Sequence, residues 1–471
     1  MYYAHGKILL LSLLTAAALF WSTGAWAMIV TYAAPSGEVL STEYRITIDG
    51  KRVDSYLART LDPPFARQHT GHGGPYSFAT FDMDKKATVR ITSAKSLRNL
   101  AILPKAAGIN PVAVDDHTVV FTLDRPRKLS IEPNGKNKPL LLFANQLEQA
   151  IPKPGDRNVI YFGPGIHRAG TITLGSGQTL YLAGGAVVKG QVLAQGSNIQ
   201  IRGRGILDGS EVAWKAGPAL IGIRNSHNVT IKDIILRGSS NWTIVPRNSD
   251  HLTVQNVKIC NSRVQNDDGI DICNSQDVLI TDCFIRSDDD CVALKGTDLS
   301  AKNTNVERIV VENCVLWCDR ARVFLLGHES RAKFMRGITL RNLDIIHFSM
   351  AAFLFEPGEE MLLEDILVEN VRVNGEAQRD LLIVRPTVNR YMTNQVPGHI
   401  RNVTFHNLSV EGGPGNYLIT IAGADPSHTV QNIDFNMVSI LNDVQTQSSD
   451  KVSSGKYVKN IRFNQGPTLK E

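Results

Sequence analysis

The sequence predicts an all-β protein in which a right-handed parallel β-helix of about ten coils follows a small N-terminal β-sandwich. Three observations support this fold class. After residue 156 a short apolar alternation recurs nine times, at intervals of 23 to 37 residues. Before the repeats, short alternating runs are separated by Gly, Pro and Asp. At 471 residues, the chain is also too long for one ordinary compact core.

Residues 1–27 are predicted to be a secretory signal peptide. Lys7 precedes an apolar run at residues 8–21, and residues 25–27 form a small-x-small cleavage site. The run is short for a membrane span, and no later segment reaches the required length. We therefore expect a secreted or periplasmic protein without a membrane anchor, whose mature chain begins near Met28.

Composition limits the classes of partner. The hydrophobic content of 43% and the charged content of 20% are typical of an ordered globular protein. The net charge of +5 falls to about +4 when Lys7 leaves with the signal, which suits an anionic polymer. The sequence has no Lys/Arg block with interleaved aromatic residues, so no nucleic-acid partner is predicted. We expect a monomer that acts on a polysaccharide or oligosaccharide.

Residues 28–154 are predicted to form the β-sandwich. Residues 44–48, 87–91, 118–123 and 128–131 alternate as strands do, and turn signals such as Asp49-Gly50 separate such runs. Even spacing of short strands is typical of a sandwich. A surface loop is favoured over a ligand contact for residues 69–74, and the Pro-containing segment 150–156 is the predicted linker.

Residues 155–471 are predicted to form the β-helix, because repeats of this length with short strands and polar corners are typical of its coils. Leucine-rich repeats have a similar length, but their leucine-asparagine signature is absent. An apolar residue recurs five positions after the first one of the unit, which predicts a second inward ladder. The ladder comprises Ile234, Val257, Cys283, Cys314, Leu343, Val371 and Leu408.

All six cysteines lie in one central segment, between Cys260 and Cys318. In an oxidising compartment some of them could pair, and their number does not give the connectivity. For Cys283 and Cys314 we favour small, buried positions in the stacked core.

The candidate site lies in residues 266–295, where six of the eight aspartates lie beside two predicted turns: residues 267, 268 and 271, then residues 288–290. Consecutive carboxylates repel one another, so such a cluster indicates a metal site or paired carboxylates with separated pKa values; a solvated acidic turn is the alternative. One coil advances the chain by about 4.8 Å. Asp268 and Asp289 are 21 residues apart, close to one coil, and Asp290 follows. The three side chains should converge on one groove, as glycoside hydrolysis by acid and base requires.

Four sequence motifs accompany these carboxylates. Residues 266–271 (NDDGID) are similar to Asn-Thr-Asp-Gly-x-Asp, and residues 287–295 (SDDDCVALK) to Gly-Asp-Asp-Cys-x-Ala-x-Lys with Asp288 in place of glycine. Residues 327–330 (GHES) are similar to Gly-His-Gly, with Glu329 replacing the second glycine. Upstream, residues 203–209 (GRGILDG) and 240–242 (SNW) complete the set.

In this order, the motifs resemble those of the polygalacturonase family, glycoside hydrolase family 28, and of its β-helical relatives such as the dextranases. The resemblance covers residues 156–465, and it implies hydrolysis with inversion of configuration and without a covalent intermediate, a cofactor or a metal. By position, Asp289 would be the general acid, Asp268 and Asp290 would deprotonate the attacking water, and His328 would hydrogen-bond to the acid or the substrate. The predicted substrate-binding residues are Asn241, Trp242, Asn266, Lys295, Glu329 and Arg385.

Alternatives remain for two of these assignments. His328 has a structural role as its alternative, because a long insertion at residues 296–308 separates its coil from Asp290. Glu329 and Arg322 line the groove or else form a surface pair.

The sequence departs from the family at the position that would select the substrate. Pectinases hold the substrate carboxylate with an Arg-x-Lys pair on the strand after Gly-His-Gly, whereas the comparable residues 351–356 (AAFLFE) contain no cation. A bidentate Arg–carboxylate contact cannot be replaced by Phe353. The sugar at the cleavage point is therefore neutral or its uronate is bound differently, with Arg385 as the first candidate. We predict a pectin-related or other cell-wall polysaccharide.

Three other functions remain open. The first is a dextranase-like hydrolase of a neutral glycan. The second is a calcium-dependent polysaccharide lyase, for which Lys295 is the one nearby base. The third is a non-catalytic carbohydrate-binding β-helix in which the acids are remnants.

Overall fold

The computed structural model describes residues 28–66, 71–297 and 305–464. The predicted signal peptide lies outside these ranges, as do residues 69–70 of the predicted surface loop. Within the described ranges, no helix has the length and apolar character needed to cross a bilayer.

The first part of the chain forms two sheets and one turn of 3-10 helix, Lys105–Ala107. Its strands are β1 (Ile29–Thr31), β2 (Tyr44–Ile48), β3 (Lys51–Val53), β4 (Tyr56–Ala58), β5 (Tyr76–Met83), β6 (Ala87–Ser93), β7 (Ala101–Leu103), β8 (Val112–Asp115), β9 (Thr118–Leu123), β10 (Lys128–Lys136) and β11 (Leu140–Asn145).

One sheet has the order β1-β5-β11-β10-β7, with β4 on β5, and the other the order β3-β2-β6-β9-β8. Their inner faces share one apolar core that includes Phe81 and Val89. The turn between β2 and β3 has φ of 45° at Asp49 and 79° at Gly50, as a two-residue hairpin requires. Strand β5 is buried on both faces, because its alternate residues, Tyr76 and Phe78, pack against the following domain.

The remaining strands build one continuous coiled sheet. They are β12 (Val159–Phe162), β13 (Gly165–Leu174), β14 (Thr179–Leu182), β15 (Ala186–Ala194), β16 (Ser197–Gly203), β17 (Ile206–Asp208), β18 (Ile221–Arg224), β19 (His227–Lys232), β20 (Ile235–Arg237), β21 (Ile244–Arg247), β22 (Asp250–Gln255), β23 (Lys258–Cys260), β24 (Ile270–Cys273), β25 (Gln276–Thr281), β26 (Phe284–Ser287), β27 (Val292–Gly296), β28 (Val306–Glu312), β29 (Val315–Cys318), β30 (Arg322–Ser330), β31 (Phe334–His347), β32 (Ala351–Glu356), β33 (Leu362–Glu376), β34 (Asp380–Val384), β35 (His399–Gly413), β36 (Leu418–Ile421), β37 (Val430–Ile440), β38 (Asp443–Val444), β39 (Val452–Ser454) and β40 (Val458–Asn464).

Each strand pairs in parallel with the equivalent strand one coil later, apart from the antiparallel β37–β38 pair, and this confirms the parallel β-helix. One ladder runs from β12 through β14, β16, β19, β22, β25, β28, β31, β33, β35 and β37 to β40, twelve strands where about ten coils were predicted. The register places similar apolar side chains next to one another on successive coils: Ile338 lies beside Ile366, and Ile366 beside Val403.

The second predicted ladder is also buried in the core of the β-helix, from Ile234 to Leu408. Within it the backbone N–H of Cys283 donates to the Cys314 sulfur at 3.4 Å. All six cysteines are buried, unpaired thiols, so none of the disulfides that the sequence left open forms.

The residue before each apolar run explains why the repeat carries Asn or Asp there. Asn402, Asn432 and Asn460 have φ of 57°, 57° and 55°, in the left-handed region that short polar side chains tolerate best. Their amides also donate from coil to coil: Asn460 to Asn432 at 3.0 Å and Asn432 to Asn402 at 2.9 Å. Left-handed corners stabilised in this way turn each coil and fix the register that aligns the site.

Ion pairs join the N-terminal sheets to the β-helix. In several of these pairs both side chains are buried, and the pairs connect the two parts along much of the β-helix. The pairs are Arg204–Asp82 at 2.8 Å, Arg237–Glu38 at 2.9 Å, Arg263–Asp62 at 3.1 Å, Lys128–Asp282 at 2.6 Å and His72–Asp288 at 2.7 Å.

Candidate active site

A cleft of about 770 Å³ lies along the ladder β21-β24-β27-β30 and the turns that precede these strands. Its volume is in the range of ligand-binding clefts. Nine of the ten predicted site residues line it: Asn241, Trp242, Asn266, Asp268, Asp289, Asp290, Lys295, His328 and Glu329.

Three carboxylates converge in the cleft, as the coil spacing predicts. Asp268 precedes β24, Asp289 and Asp290 precede β27, and the Gly269 N–H donates to the Asp290 carbonyl at 2.8 Å. One oxygen from each of the three carboxyl groups lies within 4.8 Å of the others. Their exposed fractions are 2%, 8% and 2%, so water screens them poorly.

Each of the three carboxylates lies beside a cation, and two of these cations also contact a second aspartate. Lys295 Nζ lies 3.3 Å from Asp268, an Arg320 nitrogen lies 2.5 Å from Asp289, and an Arg322 nitrogen lies 3.0 Å from Asp290. The Asn266 amide also donates to Asp289, at 3.1 Å. Three positive charges therefore offset part of the negative charge of the acids, and this compensation makes the cluster a poorer cation site than its acids alone suggest.

Burial and mutual repulsion raise the pKa values of two members of the cluster. Burial raises the pKa of Asp290 to about 7, with Asp289 adding to the rise and Arg322 opposing it. Burial, followed by the charge of Asp271, holds the pKa of Asp268 well above its usual range. A site that retains a proton near neutral pH is suited to general acid–base chemistry.

Lys295 is held as a cation. Its ammonium lies 2.8 Å from Asp271 and 3.3 Å from Asp268, and it sits 3.8 Å from the centre of the Trp242 ring. Burial would lower its pKa, but the charges of Asp271 and Asp268 outweigh burial and raise the pKa well above the usual value. A lysine in this state is a poor general base, which argues against Lys295 as the base of a lyase.

Asp267, Asp271 and Asp288, the other three aspartates beside the two turns, are buried and do not line the cleft. Asp267 accepts the backbone N–H groups of Ser262 and Arg263 at 2.9 Å and that of Asp288 at 2.8 Å. Asp271 anchors Lys295. These contacts hold in place the two turns that carry Asp268, Asp289 and Asp290.

Asp288 links the site to the N-terminal sheets. Its oxygens lie 2.7 Å from His72 Nε2 and 2.7 Å from Arg320 Nε, and Arg320 continues to Asp289. His72 is buried, with an exposed fraction of 2%. The predicted surface loop therefore contributes one residue, His72, to a buried contact between the two domains. Asp288 and Arg320 connect this contact to Asp289 in the cleft.

His328 belongs to the site, and the insertion at residues 296–308 does not displace it. Strand β30 pairs directly with β27, with Leu294 beside Leu326. The His328 Nδ1 hydrogen-bonds to Glu356, and its ring lies 5.0 Å from the ring of Tyr391. Glu356 thus orients an imidazole that borders the cleft.

Arg385 does not line the cleft, contrary to the role suggested for it. It follows β34, which pairs with β32 rather than with β30, and its side chain is exposed. The position is one coil beyond Glu356, the partner of His328. Arg322 and Glu329 both line the cleft, and Arg322 pairs with Asp290 rather than with Glu329.

Several residues of the cleft were not predicted from the sequence. Arg320 lies one coil after Asp289, so the coil spacing contained a signal for it. Tyr391 and Arg390 come from the long segment between β34 and β35, and Trp214 and Lys215 from that between β17 and β18. Irregular segments carry no periodic signal from which their positions could be predicted.

A β-helix with clustered carboxylates, each beside a cation, in an open cleft has the equipment of a glycoside hydrolase. Comparison with known proteins agrees, because residues 171–313 match the family model Glycosyl hydrolases family 28. This confirms the resemblance to that family, and it supports a glycosidase.

Two curated relatives extend the comparison. The chain is 25% identical over 235 residues to an exopolygalacturonase of Cochliobolus carbonum, covering 46% of this chain and 45% of that protein. It is 23% identical over 437 residues to an isopullulanase of Aspergillus niger, covering 79% and 72%. The chain spans about half the length of the exopolygalacturonases it matches.

Among solved structures, the fold is similar to that of Dex49A from Penicillium minioluteum. The TM-score is 0.65 at 15% identity, over 92% of this chain and 96% of that one. This similarity includes the N-terminal sheets and bears on the fold alone.

Proposed function

We propose that the protein is an inverting glycoside hydrolase that cleaves an anionic, pectin-related polysaccharide by acid–base catalysis. The observation that carries the proposal is the convergence of Asp268, Asp289 and Asp290, within 4.8 Å of one another, in a cleft long enough for sugar residues. The family resemblance supplies the reaction class.

In the proposed mechanism Asp289 donates a proton to the glycosidic oxygen as its bond to the anomeric carbon breaks. A water molecule held by Asp268 and Asp290 attacks that carbon and gives up a proton to one of them. Arg320 and Arg322 limit the repulsion as charge moves among the three groups. Because coupled carboxyls titrate as a unit, the roles follow from position in the motif rather than from single pKa values.

The roles can be separated with an activated aryl glycoside of the sugar that the enzyme accepts. A good leaving group needs no proton, so Asp289→Asn should recover much of its activity on this substrate. Asp268→Asn and Asp290→Asn should not recover. Recovery of Asp290→Asn instead would move the acid to that position.

Inversion follows from the resemblance, whereas spacing alone favours the opposite result. Carboxyl groups of inverting enzymes are typically about 6.5–9.5 Å apart, and the nearest oxygens here lie within 4.8 Å. We retain inversion because the family resemblance implies it, and the spacing of the carboxyl groups makes the stereochemical outcome a direct test of that resemblance. NMR of the first product should show the anomer opposite to that of the substrate; the same anomer would establish retention.

The rim of the cleft supports an anionic substrate. Lys215 lies 4.7 Å from the centre of the Trp214 ring, Arg247 lies 5.4 Å from Trp242, and Arg390 lies 4.9 Å from Tyr391.

None of these three cations forms an ion pair with a carboxylate of the described residues. Cations beside aromatic faces can bind the carboxylate of a uronate while the ring stacks on the sugar. They offer an alternative to the absent Arg-x-Lys pair.

The test is a screen of the purified enzyme on polygalacturonan, rhamnogalacturonan, galactan, dextran and other α-glucans, with detection of new reducing ends. We expect cleavage of a uronate-containing polymer. Release of sugar from the neutral polymers alone would overturn the proposed substrate and retain hydrolysis.

Hydrolysis of a neutral glycan is the second candidate. It is favoured by the match to an isopullulanase over 79% of this chain, and by β32, where Phe353 and its neighbours provide no cation. The same screen separates the two candidates.

A lyase and a non-catalytic binder predict other results. A calcium-dependent lyase would lose activity in EDTA and release products that absorb as unsaturated uronates. A binding protein would release sugar at the same slow rate whether or not Asp289 is replaced by Asn. We further propose that the protein acts outside the cytoplasm, on the basis of the signal-like segment at residues 1–27.

A further inference from the structure

A second cluster of chemically active side chains lies at a corner of the β-helix outside the cleft. His399 Nε2 lies 3.1 Å from one Glu360 carboxylate oxygen, and His428 Nε2 lies 3.4 Å from the other. The two imidazole rings are 4.9 Å apart between centroids. None of the three residues lines the catalytic cleft.

The coil geometry brings these residues together. Glu360 lies two residues before β33, His399 is the first residue of β35, and His428 lies two residues before β37. Strand β33 pairs with β35 from Leu362 and His399 onward, and β35 pairs with β37. Three successive coils therefore contribute one side chain each to the same corner, so the cluster is fixed by the backbone register.

A fourth residue fixes the state of His428. Asp425 Oδ2 lies 2.7 Å from His428 Nδ1, and Asp425 Oδ1 accepts the backbone N–H groups of Ser427 and His428. An ionised carboxylate only accepts, so Nδ1 carries a proton, and Nε2, which faces Glu360, is the nitrogen that a metal ion would bind in place of a proton. This carboxylate–histidine arrangement is the one that orients histidine ligands of metal ions.

We propose that Glu360, His399 and His428 bind a divalent transition-metal ion of the zinc type, with water as the fourth ligand. Zinc lies about 2.0–2.2 Å from nitrogen and oxygen ligands, so tetrahedral ligand atoms are about 3.3–3.6 Å apart. The 3.1 and 3.4 Å separations join the two histidines to different Glu360 oxygens, and one ligand atom from each of the three residues lies within 4.8 Å of the others, so small side-chain rotations bring the set to this spacing. Two imidazoles with one carboxylate select zinc over calcium, which prefers six to eight oxygen ligands.

The position gives the metal a structural role beside the cleft. The segment between β34 and β35 carries Arg390 and Tyr391, and it ends at His399. The Glu360 N–H donates to the Pro397 carbonyl at 3.2 Å, so Glu360 holds the same end of this segment. An ion bound here would cross-link three coils and fix the base of the segment that completes the rim of the cleft.

The chain offers a matched control at another corner. His227, Asp250 and His251 also place ligand atoms within 4.8 Å of one another. There, however, both histidines direct Nδ1 to the same Asp250 oxygen, at 2.5 and 2.6 Å. One oxygen already shared by two donors is a weaker basis for a metal site.

The experiment is isothermal titration of zinc chloride into EDTA-treated, dialysed protein at pH 7. We expect one site in the wild type and in His227→Ala, and no such site in His399→Ala. Asp425→Asn should weaken binding by about 10- to 100-fold, since loss of the partner that orients a ligand has effects of this size.

Zinc should also raise the melting temperature of the wild type and of His227→Ala. It should not raise that of Glu360→Gln, a change at an exposed position that serves if His399→Ala does not fold. The proposal is overturned if His399→Ala or Glu360→Gln binds zinc like the wild type, or if His227→Ala loses the site. The readouts do not depend on the reaction that the cleft catalyses.

Discussion

Six of the eight aspartates between residues 267 and 290 form two buried sets, which differ in whether their carboxylates line the cleft. Asp268, Asp289 and Asp290 border the cleft, and each faces a side-chain cation. The other three turn away from it and accept backbone N–H groups or ion pairs that hold the turns in place. Neighbouring aspartates thus divide into the three that line the cleft, which we propose to react and call the reacting set, and the three that do not, which we call the supporting set.

The difference lies in what each carboxylate would lose if it were neutralised. Asp289 and Asp290 each accept one backbone N–H group, but all three members of the first set are paired with a side-chain cation beside the cleft. In the second set Asp267 accepts three backbone N–H groups, which cannot move away, whereas Asp271 and Asp288 are paired with side chains. Substitutions in the first set should therefore change activity, and those in the second should change stability.

The largest expected effect is on the activity of Asp289→Asn. The amide cannot donate a proton to the leaving oxygen, so kcat should fall by about 10²- to 10⁴-fold, the usual contribution of general acid catalysis. Initial rates on the polymer identified by the screen measure the loss. The melting temperature should stay close to that of the wild type. A variant that loses activity only in proportion to its unfolded fraction would place Asp289 in the supporting set.

The next effect is on the stability of Asp267→Asn. Both carboxylate oxygens of Asp267 accept backbone N–H groups, and an amide replaces one acceptor by a donor that faces another donor. An unsatisfied buried donor costs about 1–3 kcal/mol, so the free energy of unfolding should fall by that amount. Urea unfolding provides the measurement. Unchanged stability, together with a selective loss of kcat, would show that Asp267 acts in the reaction and that the two sets do not differ in role.

The sequence predicts the reacting set because the set is periodic. Asp268 and Asp289 are one coil apart, and any side chain repeated at that interval stacks along the axis. The inward ladder from Ile234 to Leu408 follows from the same period. Arg320 lies one coil after Asp289, so the same period also predicts its position in the cleft.

The remaining features depend on contacts without a period. His72 reaches Asp288 across 216 residues, and the pairing of two domain surfaces leaves no trace in local spacing. The position of Tyr391 depends on the path of an irregular segment. Arg385 was suggested on strand order alone, and the pairing of β34 with β32 places it beyond the cleft.

A smaller effect concerns the pH dependence of stability in Asp290→Asn. Burial raises the pKa of Asp290 in the folded protein to about 7, against an ordinary value near 4. Between about pH 4 and 7 the folded state holds a proton that the unfolded state releases, so the free energy of unfolding falls as pH rises through this window.

An amide does not titrate there. The difference in urea midpoint between pH 4.5 and pH 7 should therefore be smaller in Asp290→Asn than in the wild type. Asp443→Asn, a change at an exposed position, should behave as the wild type does. A steeper profile in Asp290→Asn would mean that Asp290 is ionised in the folded protein throughout the range.

The smallest expected effect separates two arginines near the same end of the cleft. Arg390 lines it beside Tyr391, whereas Arg385 is exposed and lies outside it. On a uronate polymer Arg390→Ala should raise KM by about fivefold, which corresponds to about 1 kcal/mol, the upper end for an exposed ion pair. Arg385→Ala should change KM by less than about twofold, because it loses no contact with the substrate and a solvated charge acts weakly through water. Both variants should keep the wild-type kcat, since neither residue touches the reacting carboxylates.

A steep rise in KM for Arg385→Ala alone would show that the substrate extends over β34, past the boundary that the cleft defines. Equal, unchanged KM values for both variants would remove the support that the rim gives to an anionic substrate and favour the neutral glycan.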